Sequence, residues 1–103
     1  MAGLLRVDEP ERAIALLEDA LADDPQVGRQ RCLLGTLQAE RGLAKAAEEN
    51  LERGVRLSPW RVECRLALAE LWERGGRRED VAALLADAPE PERFEAFRSQ
   101  HGY

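Results

Sequence analysis

Residues 17–26 read LEDALADDPQ, and residues 51–60 read LERGVRLSPW. When the second segment is aligned with the first, Leu17 matches Leu51, and the prolines near the two ends also match, at a separation of 34 residues. The same shift pairs residues of similar size or polarity well beyond these segments: Arg31 with Arg65, Leu34 with Leu68, Gly35 with Ala69, Leu37 with Leu71, Gly42 with Gly76, Ala47 with Val81, and Leu51 with Leu85. Agreement at so many positions indicates an internal repeat rather than chance.

Helical periodicity fills the segments between the proline and glycine breakers. Apolar residues recur there at steps of three and four, which is the pattern of amphipathic helices, and no stretch alternates with period two. Proline disfavours helix at the residue before it, and glycine tolerates the left-handed conformation that ends a helix. The second helix carries Leu33, Leu34 and Leu37, of which Leu34 and Leu37 are its expected core positions. The sequence predicts an all-α chain with helices at about 11–23, 28–41, 44–57, 60–74, 77–87 and 91–100.

Composition and charge exclude several classes of protein. The 103 residues carry a net charge of -5, whereas nucleic-acid binding usually needs a clustered basic surface. A membrane span needs about 18 or more consecutive apolar residues, and the chain has no such run and no signal-peptide core. We therefore expect a cytoplasmic protein that binds neither nucleic acid nor membrane.

The repeated residues resemble the tetratricopeptide repeat, a helix-turn-helix of 34 residues. The residues of the middle repeat that carry this resemblance are Leu34-Gly35, Ala47, Leu51, Gly54 and Pro59. The resemblance implies a right-handed superhelical stack of antiparallel helix pairs, with about two and a half repeats and a C-terminal capping helix. The single domain would divide into an N-terminal remnant (1–10), a half repeat (11–25), a full repeat (28–59), a shortened repeat (60–89), and a capping helix with a tail (90–103).

The chain departs from the family pattern at several positions. Arg31 and Arg65 occupy the slot that usually holds tryptophan, and Gln38 replaces an aromatic residue. We expect the arginine stems to cover apolar surface while their charged ends reach acids or water. Pro89 arrives four residues ahead of the phase set by the earlier prolines, because Arg93 holds the in-phase position. A shortened last repeat followed by a helix that carries two phenylalanines suits a cap, since a stack must cover its last apolar face.

The N-terminal end raises a different expectation, because the chain begins partway through a repeat. Ile14, Leu17 and Leu21 would lack part of their cover unless residues 4–7 fold back over them. Three explanations remain open at this point: a fragment of a longer array, a short protein capped by its own N-terminus, or a chain that homodimerises through these three residues.

The resemblance also implies where a partner would bind. Proteins of this family are generally adaptors that hold a peptide or helix of another protein in the concave groove lined by the first helix of each pair. The stripe that would line this groove comprises Arg29, Cys32, Thr36, Ala39, Glu40, Glu63, Leu66, Glu70, Glu73 and Arg74. One subgroup grips a C-terminal carboxylate with basic residues, but lysine is absent from this stripe. A basic or neutral partner segment therefore fits the predicted wall better.

Catalytic and metal-binding motifs are absent from the sequence. The single histidine, His101, is expected in a solvated tail, and no serine or threonine has a base placed beside it. Cys32 and Cys64 lie apart in sequence without a neighbouring histidine, so we expect two buried or half-buried free thiols and no metal or cofactor. The leading hypothesis is a non-catalytic protein-interaction module. The alternative is a structural self-assembly module, and the acidic composition argues against a third reading as an RNA-binding helical repeat.

Overall fold

The structure, a computed structural model, describes the backbone of residues 2–103 and the side chains of residues 9–103. The helices are α1 (Ala2–Asp23), α2 (Gly28–Glu40), α3 (Ala44–Leu57), α4 (Val62–Arg74), α5 (Arg78–Ala86) and α6 (Glu95–His101), and a short 3-10 helix (Pro91–Phe94) precedes α6. Residues 2–103 contain no strand. The prediction of an all-α chain is confirmed, and the predicted bounds of the second and third helices agree with α2 and α3 to within a residue.

The first helix is longer than its sequence pattern predicts. It begins at Ala2 rather than at residue 11, and Pro10 lies inside it instead of in its first turn. The prediction placed the start at the proline because a missing N–H is harmless in a first turn. The segment before it contains alanine, leucine and arginine, all strong helix formers, and the helix extends through them. The expectation that residues 4–7 cover the next turns concerns side chains outside the described ones.

Helix α4 is the centre of the fold, because it contacts α2, α3 and α5. Its N-terminal half joins a buried cluster with α2 and α3 that contains Cys32, Leu51, Cys64 and Leu68. Its middle joins a second cluster with α5 and the C-terminal segment that contains Ala69, Val81, Leu85, Ala88, Phe94 and Phe97. The chain is elongated, with principal extents of 44 × 29 × 22 Å.

The three leucines of α2 differ in their exposure to solvent. Leu34 is buried and Leu37 is half-buried, whereas Leu33 is 46% exposed. Successive residues of a helix are about 100° apart, so Leu33 and Leu34 do not share a face of α2. Leu34 and Leu37, the expected core positions, lie on the covered side of the helix, and Leu33 lies outside it.

Close approach of α2 and α3 depends on Gly35. A Cβ atom placed on this residue would lie 2.6 Å from Cγ of Leu51 and 3.1 Å from the carbonyl oxygen of Ala47. Leu51 and Ala47 are fully buried, so neither has free space to move into. The glycine that follows Leu34 in the repeat pattern therefore sets the distance between the paired helices.

We predict that Gly35→Ala destabilises the protein by about 1–3 kcal/mol, because the added methyl group overpacks the contact with Leu51. Urea denaturation followed by far-UV circular dichroism measures the change in the free energy of unfolding. Gly75→Ala is the matched control, since its Cβ would meet ordinary van der Waals contacts, the nearest at 3.5 Å. Equal stability of the two variants would contradict the packing argument.

Arg31 and Arg65 make corresponding hydrogen bonds in the two helix pairs. Arg31 donates to the carbonyl of Pro25 at 3.1 Å and to Oδ1 of Asn50 at 2.8 Å. Arg65 donates to the carbonyl of Pro59 at 3.4 Å and to the carbonyl of Leu84 at 3.0 Å. In both cases the partners lie six residues before and 19 residues after the arginine.

These arginines therefore do not act as the sequence predicts. Their charged ends bond backbone carbonyls and the amide of Asn50 rather than acids, and Arg65 is only 4% exposed. Burial lowers the pKa of Arg65, and the nearby carboxylate of Asp87 opposes that effect. The planar guanidinium of Arg65 can be buried because its several N–H groups bond two backbone carbonyls at once.

Gln38 also has a polar role in place of the expected aromatic packing. It is 4% exposed, and its Oε1 accepts a hydrogen bond of 2.8 Å from Nδ2 of Asn50. Since Asn50 also accepts from Arg31, the three side chains form a polar network between α2 and α3. Buried polar groups that are paired in this way avoid the desolvation penalty of unpaired ones.

We predict that Arg65→Lys lowers the free energy of unfolding by about 1–2 kcal/mol. Lysine retains the buried charge, but its compact ammonium group cannot bond both carbonyls in the fork geometry of arginine. Chemical denaturation tests this, with Arg93→Lys as the control, because the exposed Arg93 forms only a 3.8 Å ion pair. A loss in Arg65→Lys no larger than in Arg93→Lys would show that the two hydrogen bonds add no stability.

Candidate functional site

A surface pocket joins the C-terminal halves of α2 and α4 to the last helix. Its volume is about 400 Å³, and its lining comprises Glu40, Glu70, Glu73, Arg74 and His101. The first four belong to the predicted groove stripe, and they come from two helices that are distant in sequence. The packing of α2 against α4 brings them together.

The lining of this pocket leans toward negative charge. Glu40 and Glu70 are exposed, and no described side chain forms an ion pair with either of them. Arg74 is also exposed, and its Nε lies 3.4 Å from the carbonyl of Glu70 in the preceding turn, to which it donates. Two carboxylates therefore face solvent without a partner from the described part of the chain.

Glu73 differs from the other two carboxylates, because it is already bonded within the protein. Its side chain is 17% exposed, and it accepts hydrogen bonds from Nη1 of Arg78 at 3.0 Å and from the hydroxyl of Tyr103 at 2.5 Å. Nδ1 of His101 lies 3.8 Å from its Oε2. Glu73 thus fastens the C-terminal residues to α4 and has little capacity left for a partner.

The C-terminal residues are not the solvated tail that the sequence predicts. The rings of Phe97 and His101 lie 4.4 Å apart, and the ring of Tyr103 lies 6.1 Å from that of Phe97. Gly102 ends α6 in the left-handed conformation, which turns the chain back so that Tyr103 reaches the guanidinium of Arg78 at 4.3 Å. His101 is a pocket residue that sequence reasoning missed. The four-residue spacing of Phe97 and His101, followed by a glycine, is the signal that could have indicated it.

The rest of the predicted stripe does not form one accessible wall. Arg29 and Glu63 are exposed, and Ala39 and Thr36 are half-buried, with the Thr36 hydroxyl donating to the carbonyl of Cys32 at 2.8 Å. Leu66 packs against the buried cluster of α4 and α5.

Cys32 is 7% exposed, so its predicted place on the binding face is wrong. The reason is that α4 packs over α2 at this level and covers the side chain.

The residues predicted for self-association are also covered in part. Leu21 is 6% exposed, and Ile14 and Leu17 are half-buried. The cover comes from within the chain, because α2 packs against α1. The expectation that Leu21 is available to a second copy is therefore wrong.

A second pocket of about 400 Å³ opens on another part of the surface. Val55 of α3, Trp72 of α4 and Leu84 of α5 are among its lining residues, and the indole N–H of Trp72 has no hydrogen-bond partner among the described residues. This pocket contains none of the residues of the predicted stripe. It remains a largely apolar cleft between helices.

Metal-binding and membrane-spanning features are absent from the described residues. These residues contain no cluster of three or more histidine, cysteine, aspartate or glutamate side chains suited to hold a metal ion. None of their helices has the length and apolar character needed to cross a membrane. Comparison of the chain with models of protein families and with curated protein sequences finds no match. The similarity to the tetratricopeptide repeat therefore stays a resemblance based on the residues.

We predict that Tyr103 ionises above the ordinary pKa of 10.0. Burial raises its pKa first, the hydrogen bond to Glu73 raises it further, and the charge of Arg78 acts in the opposite direction. The contribution of the protonated tyrosine to stability is therefore present below about pH 10 and is lost as the pH rises through the pKa of the folded state. The ultraviolet titration of phenolate reports this residue alone, since the chain has one tyrosine.

Glu73→Gln should lower the midpoint of that titration, because it replaces a charged acceptor with a neutral one. Glu70→Gln removes the same charge from a residue that does not contact Tyr103, so its midpoint should match that of the native chain. Circular dichroism at each pH verifies that the proteins are folded. A midpoint unchanged by Glu73→Gln would contradict the proposed attachment of the C-terminus.

Proposed function

We propose that this chain is a non-catalytic protein-interaction module that binds a basic peptide or helix of a partner protein. In this proposal α2–α3 and α4–α5 are two tetratricopeptide-like pairs of a right-handed superhelical stack, α1 is the second half of a preceding pair, and α6 is the cap. The binding groove is the face formed by α2, α4 and the end of α6. The observation that carries the proposal is the pocket in which Glu40, Glu70 and His101 meet.

The repeated contacts support the proposed architecture. Arg31 and Arg65 bond corresponding positions 34 residues apart, which sequence similarity alone does not require. Gly42 and Gly76, also 34 residues apart, both adopt positive φ, at 79° and 74°. Equivalent turns and equivalent hydrogen bonds are expected when a chain repeats one structural unit.

The charges of the pocket support a basic partner. Glu40 and Glu70 carry no ion-pair partner from the described residues, so an incoming arginine or lysine would meet two available carboxylates. Arg78 and Tyr103 fix the position of Glu73 through hydrogen bonds. The Glu73 carboxylate adds to the negative potential of the pocket from this fixed position. Charge complementarity of this kind favours basic segments and rejects acidic ones.

We predict that peptides selected by the chain from a random library are enriched in arginine and lysine. Fluorescence anisotropy of a selected peptide should show binding that weakens as salt is added, because the pocket charges are exposed to solvent. The double variant Glu40→Lys, Glu70→Lys should weaken binding at least about tenfold, since two attractive contacts become repulsive.

The matched control is the double variant Glu49→Lys, Glu79→Lys, which changes the net charge equally. Both residues are exposed and neither lines the pocket. It should bind within about twofold of the native chain, because distant surface charges are screened. Selection of acidic or purely apolar peptides, or an equal loss in both double variants, would overturn the assignment of this pocket.

A further inference from the structure

The two cysteines of the chain share one buried site. Cys32 of α2 is 7% exposed and Cys64 of α4 is fully buried, and both belong to the cluster with Leu51 and Leu68. Both also lie against Gly54 of α3, because a Cβ atom placed there would be 2.7 Å from Sγ of Cys64 and 3.2 Å from the backbone nitrogen of Cys32. Both cysteines are free thiols.

The surroundings make the two thiols chemically unequal. A hydrogen bond from Cys64 is the main cause that lowers the pKa of Cys32, and the positive charge of Arg61 lowers it further, whereas burial and the negative charge of Glu63 oppose both effects. The same hydrogen bond, together with burial, raises the pKa of Cys64.

The proton of Cys64 has two possible acceptors. Its Sγ lies 3.8 Å from the carbonyl oxygen of Leu51, to which it donates, and the sulfur of Cys32 is the other acceptor. When Cys32 is ionised, the thiolate is the stronger acceptor because it carries a full charge. The pair therefore contains a nucleophile, Cys32, and a neighbouring thiol, Cys64, that can attack a mixed disulfide formed on Cys32.

We infer that Cys32 and Cys64 form an intramolecular disulfide site that reacts with small-molecule disulfides and joins α2 to α4. The Cys32 thiolate attacks one sulfur of the small disulfide, and one small thiolate leaves. Cys64 then gives up its proton to the small thiolate that has left, and its sulfur attacks the Cys32 sulfur and expels the second small thiolate, which takes up a proton from the solvent. The two protein thiols are oxidised by two electrons in total, and the small disulfide is reduced to two thiols. No part of this inference depends on the proposed binding of a basic partner.

The bond would close a covalent loop that contains the whole of α3. Such a cross-link restricts the unfolded chain more than the folded one, because the two helices are already in contact. We expect the melting temperature of the oxidised chain to exceed that of the reduced chain by at least about 5 °C. A reductant should return it to the starting value.

The test treats the folded native chain with oxidised glutathione and then measures intact mass, free thiols after denaturation, and the melting temperature. The expected product is a monomer that has lost two hydrogen atoms, has no free thiol and melts at a higher temperature. Two remaining thiols, a stable glutathione adduct, a disulfide-linked dimer or a lower melting temperature would each overturn the inference.

Single-cysteine variants test the assigned roles. Cys64→Ser should accumulate a glutathione adduct on Cys32, whereas Cys32→Ser should leave Cys64 unmodified under the same conditions. Equal modification of both variants, while circular dichroism shows them folded, would contradict the assignment of Cys32 as the nucleophile. If either variant fails to fold, the mass and thiol count of the native chain decide the matter without it.

Discussion

The arrangement of the helices depends on two guanidinium groups that each bond a turn and the helix beyond it. Arg31 and Arg65 lie in the first turn and a half of α2 and α4, and each donates to the carbonyl of the proline that precedes its helix. The same guanidinium reaches the second helix of its pair. A tryptophan in this slot could fill space, but it could not bond two acceptors, because it has a single N–H group. The chain thus uses directional hydrogen bonds where the family pattern uses aromatic packing.

Helix α4 links this hydrogen-bond arrangement to the candidate site. It carries Arg65 and also three residues of the pocket lining, Glu70, Glu73 and Arg74. Arg65 fixes the N-terminal part of α4 against α5, and the adjacent Cys64 lies against α2 and α3. About two turns further along α4, Glu73 accepts hydrogen bonds from Arg78 and Tyr103 and holds the C-terminal segment. The acidic pocket lies where α2, α4 and α6 meet, so its shape depends on the contacts at both ends of α4.

Local patterns predicted the helices and their turns, and tertiary contacts decided most of the rest. Gly42 and Gly76 end helices through positive φ, a preference that is visible in the residue itself. The burial of Cys32 and Leu21, in contrast, results from neighbouring helices whose approach no local window contains. The position of His101 likewise depends on α6 packing back toward α4. The sequence therefore located part of the candidate pocket but could not show which stripe residues remain accessible.

The early end of α5 explains why the two arginines differ in one partner. Arg31 reaches the side chain of Asn50, because α3 continues to Leu57 and its helix uses the Asn50 carbonyl internally. The corresponding residue of the next pair is Leu84, which lies in the last turn of α5, since that helix ends at Ala86. The last carbonyls of a helix have no partner within it, so the Leu84 carbonyl is free to accept from Arg65. Because α5 ends early, the backbone carbonyl of Leu84 takes the place that the side chain of Asn50 has in α3. Arg65 therefore still bonds the second helix of its pair, although that helix has no asparagine at this position.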